Sequence, residues 1–98
     1  MANQFGDRIR QLREQQNMLL RQVAPLLDMD TPMLSKIERG ERTAKKDQVG
    51  KLAEILKANK EELLTLWLAD QVYDVVKNED HADEALKSVS KKIKNIKE

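Results

Sequence analysis

Apolar side chains recur at Phe5, Ile9 and Leu12, the i, i+4, i+7 spacing of one helical face, with Arg8, Arg10 and Arg13 spread around it. This pattern predicts a helix over residues 3–16. Asn17 can stop it, because Asn tolerates positive φ better than most non-glycine residues. Val23, Ala24 and Leu27 make the next stripe and predict a helix over residues 20–27. Pro25 lies inside it. A proline there removes one backbone hydrogen bond and clashes with the preceding turn, at a cost of about 3 kcal/mol when fully interior, so a kink or a tightened end is expected. Asp28-Met29-Asp30 interrupts the stripe, and Leu34 and Ile37 then face inward from a helix over residues 31–39. Thr31 can cap it and Pro32 can occupy its first helical position. Asp30 competes for the cap, but proline disfavours αR in the residue before it, which favours Thr31. Gly40 ends the helix.

Residues 40–46, GERTAKK, read as a polar loop. Val49, Leu52, Ala53 and Leu56 predict a helix over residues 47–57. Asn59 followed by Glu62 is a capping-box pattern for a long helix over residues 60–77. That helix is apolar at Leu63, Leu64, Leu66, Trp67, Leu68, Val72, Tyr73, Val75 and Val76, wider than one core-facing stripe. A helix apolar on more than one side is buried on more than one side, so its second face calls for the C-terminal helix or a second subunit. Residues 78–80 break the pattern. A last helix starts near His81 with Asp80 as cap and runs to about residue 93, its stripe being Ala82, Ala85, Leu86, Val89, Ile93 and Ile96. The end, KKIKNIKE, is expected to fray. The fold class is therefore all-α.

Composition narrows the picture. Ninety-eight residues suit one modest core, and with one Phe, one Trp and one Tyr that core must be aliphatic. Without cysteine there are no disulfides and no thiolate metal sites. The N-terminal stretch has no apolar signal-peptide core, and no apolar run is long enough for a membrane span, so a cytoplasmic protein away from membranes is expected. The net charge of +1 hides three blocks. Between residues 36 and 46, five cations (Lys36, Arg39, Arg42, Lys45, Lys46) stand against two anions (Glu38, Glu41). Between residues 61 and 84, eight anions stand against one cation, Lys77, and from residue 87 to the end five lysines stand against Glu98. Such blocks are commonly solvated helix faces. The first adjoins the helix over residues 31–39, and nucleic-acid binding needs a local basic surface rather than a basic whole.

Residues 20–40 thus read as two short helices around a tight polar turn, the helix-turn-helix arrangement whose second helix can lie in a DNA major groove. The residues that sharpen this are Leu34-Ser35-Lys36-Ile37-Glu38-Arg39-Gly40-Glu41-Arg42, supported by Arg13, Val23-Ala24 and Lys51-Leu52-Ala53. On these, residues 5–68 resemble the Cro/repressor-like (XRE) helix-turn-helix family of phage repressors and bacterial regulators. The resemblance implies a five-helix lambda-repressor-like DNA-binding domain, here over residues 1–68; the apolar pattern adds a C-terminal helix in a segment 69–98, expected to serve dimerisation or partner binding. The resemblance further implies operator binding as a symmetric homodimer. An ion pair between Arg13 and Glu38 would clamp the first helix onto the third and set the arginine near phosphate. The chain departs from the family where a Ser/Thr cap and a phosphate-binding Gln usually open the second helix: those positions hold Leu19 and Leu20. Arg21 or Gln22 is the substitute on offer. Asp28 replaces the turn glycine.

The outward face of the third helix carries the candidate base contacts Thr31, Pro32, Met33, Ser35 and Lys36. Lys36 can donate to guanine O6 or N7, Thr31 and Met33 offer methyl groups to thymine, and Ser35 can reach base or phosphate. With one strong polar reader, DNA shape supplies part of the specificity. In the family the following loop lies along the DNA backbone, which makes Arg42, Lys45 and Arg39 the phosphate contacts alongside Arg13 and Arg21. Lys46 is read as solubilising charge. The dimer interface is expected at Leu66, Trp67, Val72, Tyr73, Leu86 and Val89. Trp67 and Tyr73 are core or interface residues rather than ligand-stacking ones. His81 beside Asp80 and Asp83 is a helix-terminal residue rather than a metal ligand. No nucleophile–base pair or glycine-rich phosphate loop stands out, so neither an enzyme nor a cofactor is expected. The alternative to a regulator is an antitoxin or accessory module whose C-terminal helices bind a toxin or a DNA-modifying enzyme while it also controls its own promoter.

Overall fold

Six α-helices and one 3₁₀ turn make up the computed structural model, which describes residues 3–97. The helices are α1 Gln4–Gln15, α2 Leu20–Val23, α3 Thr31–Glu38, α4 Lys46–Ile55, α5 Lys60–Val76 and α6 Ala82–Lys97, and the 3₁₀ turn Ala24–Leu27 prolongs α2. The architecture is all-α, as the periodicities predict. Pro25 explains the split second helix. It sits at the start of the 3₁₀ turn, where a tighter winding avoids the clash that an α-helix would suffer. Asp28 then takes a left-handed conformation at φ 54° and its N–H donates to the Pro25 carbonyl at 3.1 Å. Asn17 ends the α1 segment in the same left-handed region, at φ 56°.

α3 is capped by Asp30, not Thr31. The Asp30 carboxylate accepts the Met33 N–H at 2.8 Å, Thr31 is the first helical residue, and Pro32 stays within the first turn. First-turn N–H groups have no intrahelical acceptor, so Pro32 loses nothing there, and a carboxylate at the positive end of the helix outweighs the pre-proline restriction on Thr31. Asn59 caps α5 by accepting the Glu62 N–H at 2.9 Å. The Glu62 side chain does not close a capping box; it takes Arg8 Nε at 2.8 Å instead.

The core is aliphatic apart from Phe5. Ile9, Val23, Leu27, Leu34, Val49, Leu52, Leu56 and Leu63 are its largest fully buried side chains, drawn from α1, the α2 region, α3, α4 with its C-cap, and α5. Two close approaches fix α1 in this body. A Cβ on Gly6 would stand 2.4 Å from the Glu38 carbonyl oxygen, so only glycine lets α1 and the end of α3 meet. At the N-terminus of α1, the N–H groups of Gln4 and Phe5 donate to the two carboxylate oxygens of Asp70, at 3.2 and 2.9 Å. A side chain from α5 thus caps a helix more than sixty positions earlier.

α5 runs unbroken through positions 68 and 69, where the division into a DNA-binding domain and an extension was expected. What changes there is exposure. Leu63 is buried, and Leu64, Leu66 and Trp67 pack against the core, but Leu68, Val72, Tyr73 and Val75 are exposed. α6 does not end near residue 93. It continues through Lys97, and Glu98 lies outside the described residues. Lysines are good helix formers and cations near a helix C-terminus are favourable, which sustains these last turns. Leu86, Val89, Ile93 and Ile96 on its apolar face are all exposed. No helix among the described residues is long and apolar enough to cross a membrane.

Candidate functional site

α3 is held from its inner side. Leu34 and Ile37 insert into the core, and Glu38, 6 % exposed, is the one buried charged residue among those described. Arg13 meets it fork to fork: Nε donates to Oε2 at 2.7 Å and Nη2 to Oε1 at 3.0 Å, while Nη1 donates to the Met18 carbonyl at 2.9 Å. The hydrogen bond to Glu38 holds the Arg13 guanidinium above its ordinary pKa. Asn3 Nδ2 adds a bond to the Glu38 carbonyl at 2.8 Å. These groups join α1, α3 and the Asn17 turn into a rigid support. Arg13 is committed to this bracing, with its side chain 11 % exposed, and has little left to offer a phosphate.

The opposite face of α3 is open. Pro32 and Lys36 are exposed, and Thr31, Met33 and Ser35 are half-exposed. The cations that follow differ in availability. Arg42, Lys45 and Lys46 are exposed and make no ion pair among the described residues, and the same holds for Lys36. Arg39 is engaged: its Nε donates to Glu41 at 2.5 Å and its Nη1 to Ser35 Oγ at 2.8 Å. The hydrogen bond from Arg39 draws the Glu41 carboxyl below its usual range, and Glu41 in turn raises Arg39. One of the five local cations is therefore neutralised in place by a neighbouring anion.

Beside the N-terminal half of α3 lies a groove of about 410 Å³, walled by Met33 and Ile37 on one side and Arg42, Thr43, Lys45 and Gln48 on the other, with Asp28, Met29 and Asp30 at its end. It brings Met33, Arg42 and Lys45 together across the turn between α3 and α4. Thr43 and Gln48 were not singled out by sequence reading. The signal for Gln48 was its place three residues into α4, where its Oε1 accepts the Lys45 N–H at 2.9 Å and fixes the direction of the Lys45 backbone.

Around α2 the two leucines that depart from the family pattern have different fates. Leu20 packs against the core, whereas Leu19 is exposed. Gln22 Oε1 accepts the Leu19 N–H at 2.8 Å, so Gln22 closes the helix start and Arg21 is left exposed as the cation of this edge.

The residues expected at a dimer contact divide in two. Leu66 and Trp67 pack on the domain's own core, and the Trp67 indole N–H donates to the Ala44 carbonyl at 2.7 Å. Val72, Tyr73, Leu86 and Val89 are exposed. His81 is exposed, and among the described residues no three His, Cys, Asp or Glu side chains are grouped as a metal would need. A family model described as a helix-turn-helix domain matches residues 4–66. No curated protein and no solved structure gives a significant match.

Proposed function

The chain belongs to the helix-turn-helix domain family, and we propose that it is a sequence-specific double-stranded DNA-binding regulator, acting in the cytoplasm as a homodimeric repressor on a near-palindromic operator. The observation that carries this reading is the asymmetry of α3. One side is locked by Leu34, Ile37 and the Arg13–Glu38 pair, and the other presents Thr31, Pro32, Met33, Ser35 and Lys36 to solvent beside unpaired cations. A helix held on one side and free on the other can enter a major groove without rearranging the domain. Lys36 is the base reader, by donation to guanine O6 or N7. Arg42 and Lys45, across the groove from Met33, grip phosphates, with Arg21 at the far edge; each phosphate neutralised releases counterions and steepens the salt dependence. Two copies would set their α3 helices about 34 Å apart, one turn of the duplex.

Sites selected from random DNA give the test. A selected sequence with two half-sites one helical turn apart is expected. Lys36→Ala should relax preference at one position of each half-site, whereas Arg42→Ala should weaken all sequences alike and lower the salt slope by about one. Equal effects of both variants on selected and random DNA would reject the assignment.

A further inference from the structure

The outward side of α5 and the apolar side of α6 open onto one groove of about 490 Å³, lined by Leu68, Ala69, Val72, Tyr73 and Val76 with Leu86 across from them. Nothing among the described residues fills it, and the apolar surface continues along α6 at Val89, 50 % exposed, and Ile93, 49 % exposed. Neither stripe is random. On α6, Ala82, Leu86, Val89, Ile93 and Ile96 step by four and three in turn, the spacing of a helix-pairing seam. On α5, Leu68, Val72 and Val75 keep the same spacing, on the side opposite Leu63 and Asp70. Contiguous apolar surface of this kind on a small domain marks an interface.

We propose that the occupant is α6 of a second copy, laid antiparallel along α6 of the first so that the two cross near Val89 and together cover the outward stripe of both α5 helices. The proposal gives the homodimer of the reading above its contact surface, and rests on that reading only for the existence of a dimer. Charge decides between a second copy and another partner, and between the two orientations. The start of α6 and the turn before it carry Glu79, Asp80, Asp83 and Glu84, whereas its second half carries Lys91, Lys92 and Lys94. Antiparallel pairing sets the acidic end of each copy against the basic end of the other, twice by symmetry. Parallel pairing would set like against like at both ends. The chain thus holds both halves of a self-complementary surface.

The test measures association of the full chain without DNA, so that its failure is separate from failure of the DNA-binding reading. Sedimentation should show a dimer that loosens as salt is raised, since the end-to-end attraction is screened. Val89→Asp should weaken it at least about 100-fold, because a charge would be buried at the crossing, while leaving the helical circular dichroism of the body intact. A chain with Asp83→Lys and Glu84→Lys, and a second with Lys92→Glu and Lys94→Glu, the latter position lying opposite Glu84 when the helices cross near Val89, should each be weakened as homodimers and form a heterodimer when mixed. The chain has no cysteine, so single cysteines report orientation: Ser90→Cys should cross-link on oxidation and Ala82→Cys should not. A monomeric wild type, a dimer untouched by Val89→Asp, or ready cross-linking through Ala82→Cys would overturn the proposal. A dimer found only with a different protein bound at this groove would also overturn it, in favour of the antitoxin or accessory reading. A wild-type dimer with the expected variants but no DNA binding would leave the interface standing and remove the regulator.

Discussion

The two faces of α5 behave as parts of different molecules. On one, Leu63 is fully buried, Trp67 is tied to the Ala44 carbonyl, and Asp70 caps α1. On the other, Leu68 and Val72 lie exposed beside an α6 whose apolar side is also uncovered. The first face belongs to a body whose parts stabilise one another within the chain. The second has most of the ingredients of a core but only half of its walls. Stability in the body should therefore be independent of protein concentration, and stability in the α5–α6 region should depend on it.

The largest expected loss falls at the Arg13–Glu38 pair. Glu38→Ala leaves the guanidinium largely buried without its partner, a change worth about 3–5 kcal/mol. A large fall in the urea midpoint, the same at low and high protein concentration, is expected. A loss that disappeared on concentrating the sample would show that the body is not self-supporting. DNA binding should fall with it, since the pair is what fixes α3 against α1.

Two positions on α5 separate its faces. Asp70→Ala removes the acceptor of two backbone N–H groups at the start of α1 and should cost about 1–2 kcal/mol, in line with loss of a helix cap. Val72→Ser, two residues further on, should cost little in dilute solution and progressively more as the protein is concentrated, because its methyls matter only once the groove is filled. Equal, concentration-independent losses would erase the distinction between the faces.

Most of the body was legible in the sequence. The stripes at Phe5, Ile9 and Leu12 and at Val49, Leu52 and Leu56 are local periodicities, and they name core residues directly. The Asp70 cap and the Gly6 approach were not legible, because each depends on a partner at least thirty positions away that no local rule selects. Asp30 displaced Thr31 as a cap because two local rules competed and the charged cap prevailed. The width of the apolar pattern on α5 was visible, and so was the need for a second cover. Which leucines and valines faced inward became clear only from the packing: Leu66 and Trp67 turn toward the body, Leu68 and Val72 away from it. At the candidate DNA face the sequence identified the cations but not which of them were free, since the capture of Arg39 by Glu41 depends on side-chain geometry.

Asp28 offers a gain rather than a loss. It holds φ 54° in the turn after the 3₁₀ segment, and its carboxylate, 88 % exposed, makes only a 3.8 Å contact with Lys51. Asp28→Gly should stabilise the body by up to about 1 kcal/mol, since left-handed backbone costs glycine nothing. The rise in thermal midpoint should be the same whether or not the chain can dimerise, which a second measurement in the Val89→Asp background checks.

The smallest expected change in stability falls on Glu41, and it separates folding from binding most cleanly. Glu41 and Arg39 are both exposed, so their pair adds little to the stability of the fold. The sign of its pH dependence follows from the lowered Glu41 carboxyl: whatever it adds is present above the usual carboxylate range and is lost as pH falls through the lowered value. Removing the anion acts differently on the outer face of α3. Glu41→Gln would release Arg39 from its carboxylate partner and delete a negative charge where phosphates are expected, so affinity should rise for selected and random DNA alike and the salt slope should steepen by about one. Fluorescence anisotropy across a salt series reads both. An unchanged slope would mean that Arg39 is bound to Ser35 as firmly as to Glu41, and that the basic surface after α3 consists of Arg42, Lys45 and Lys46 alone.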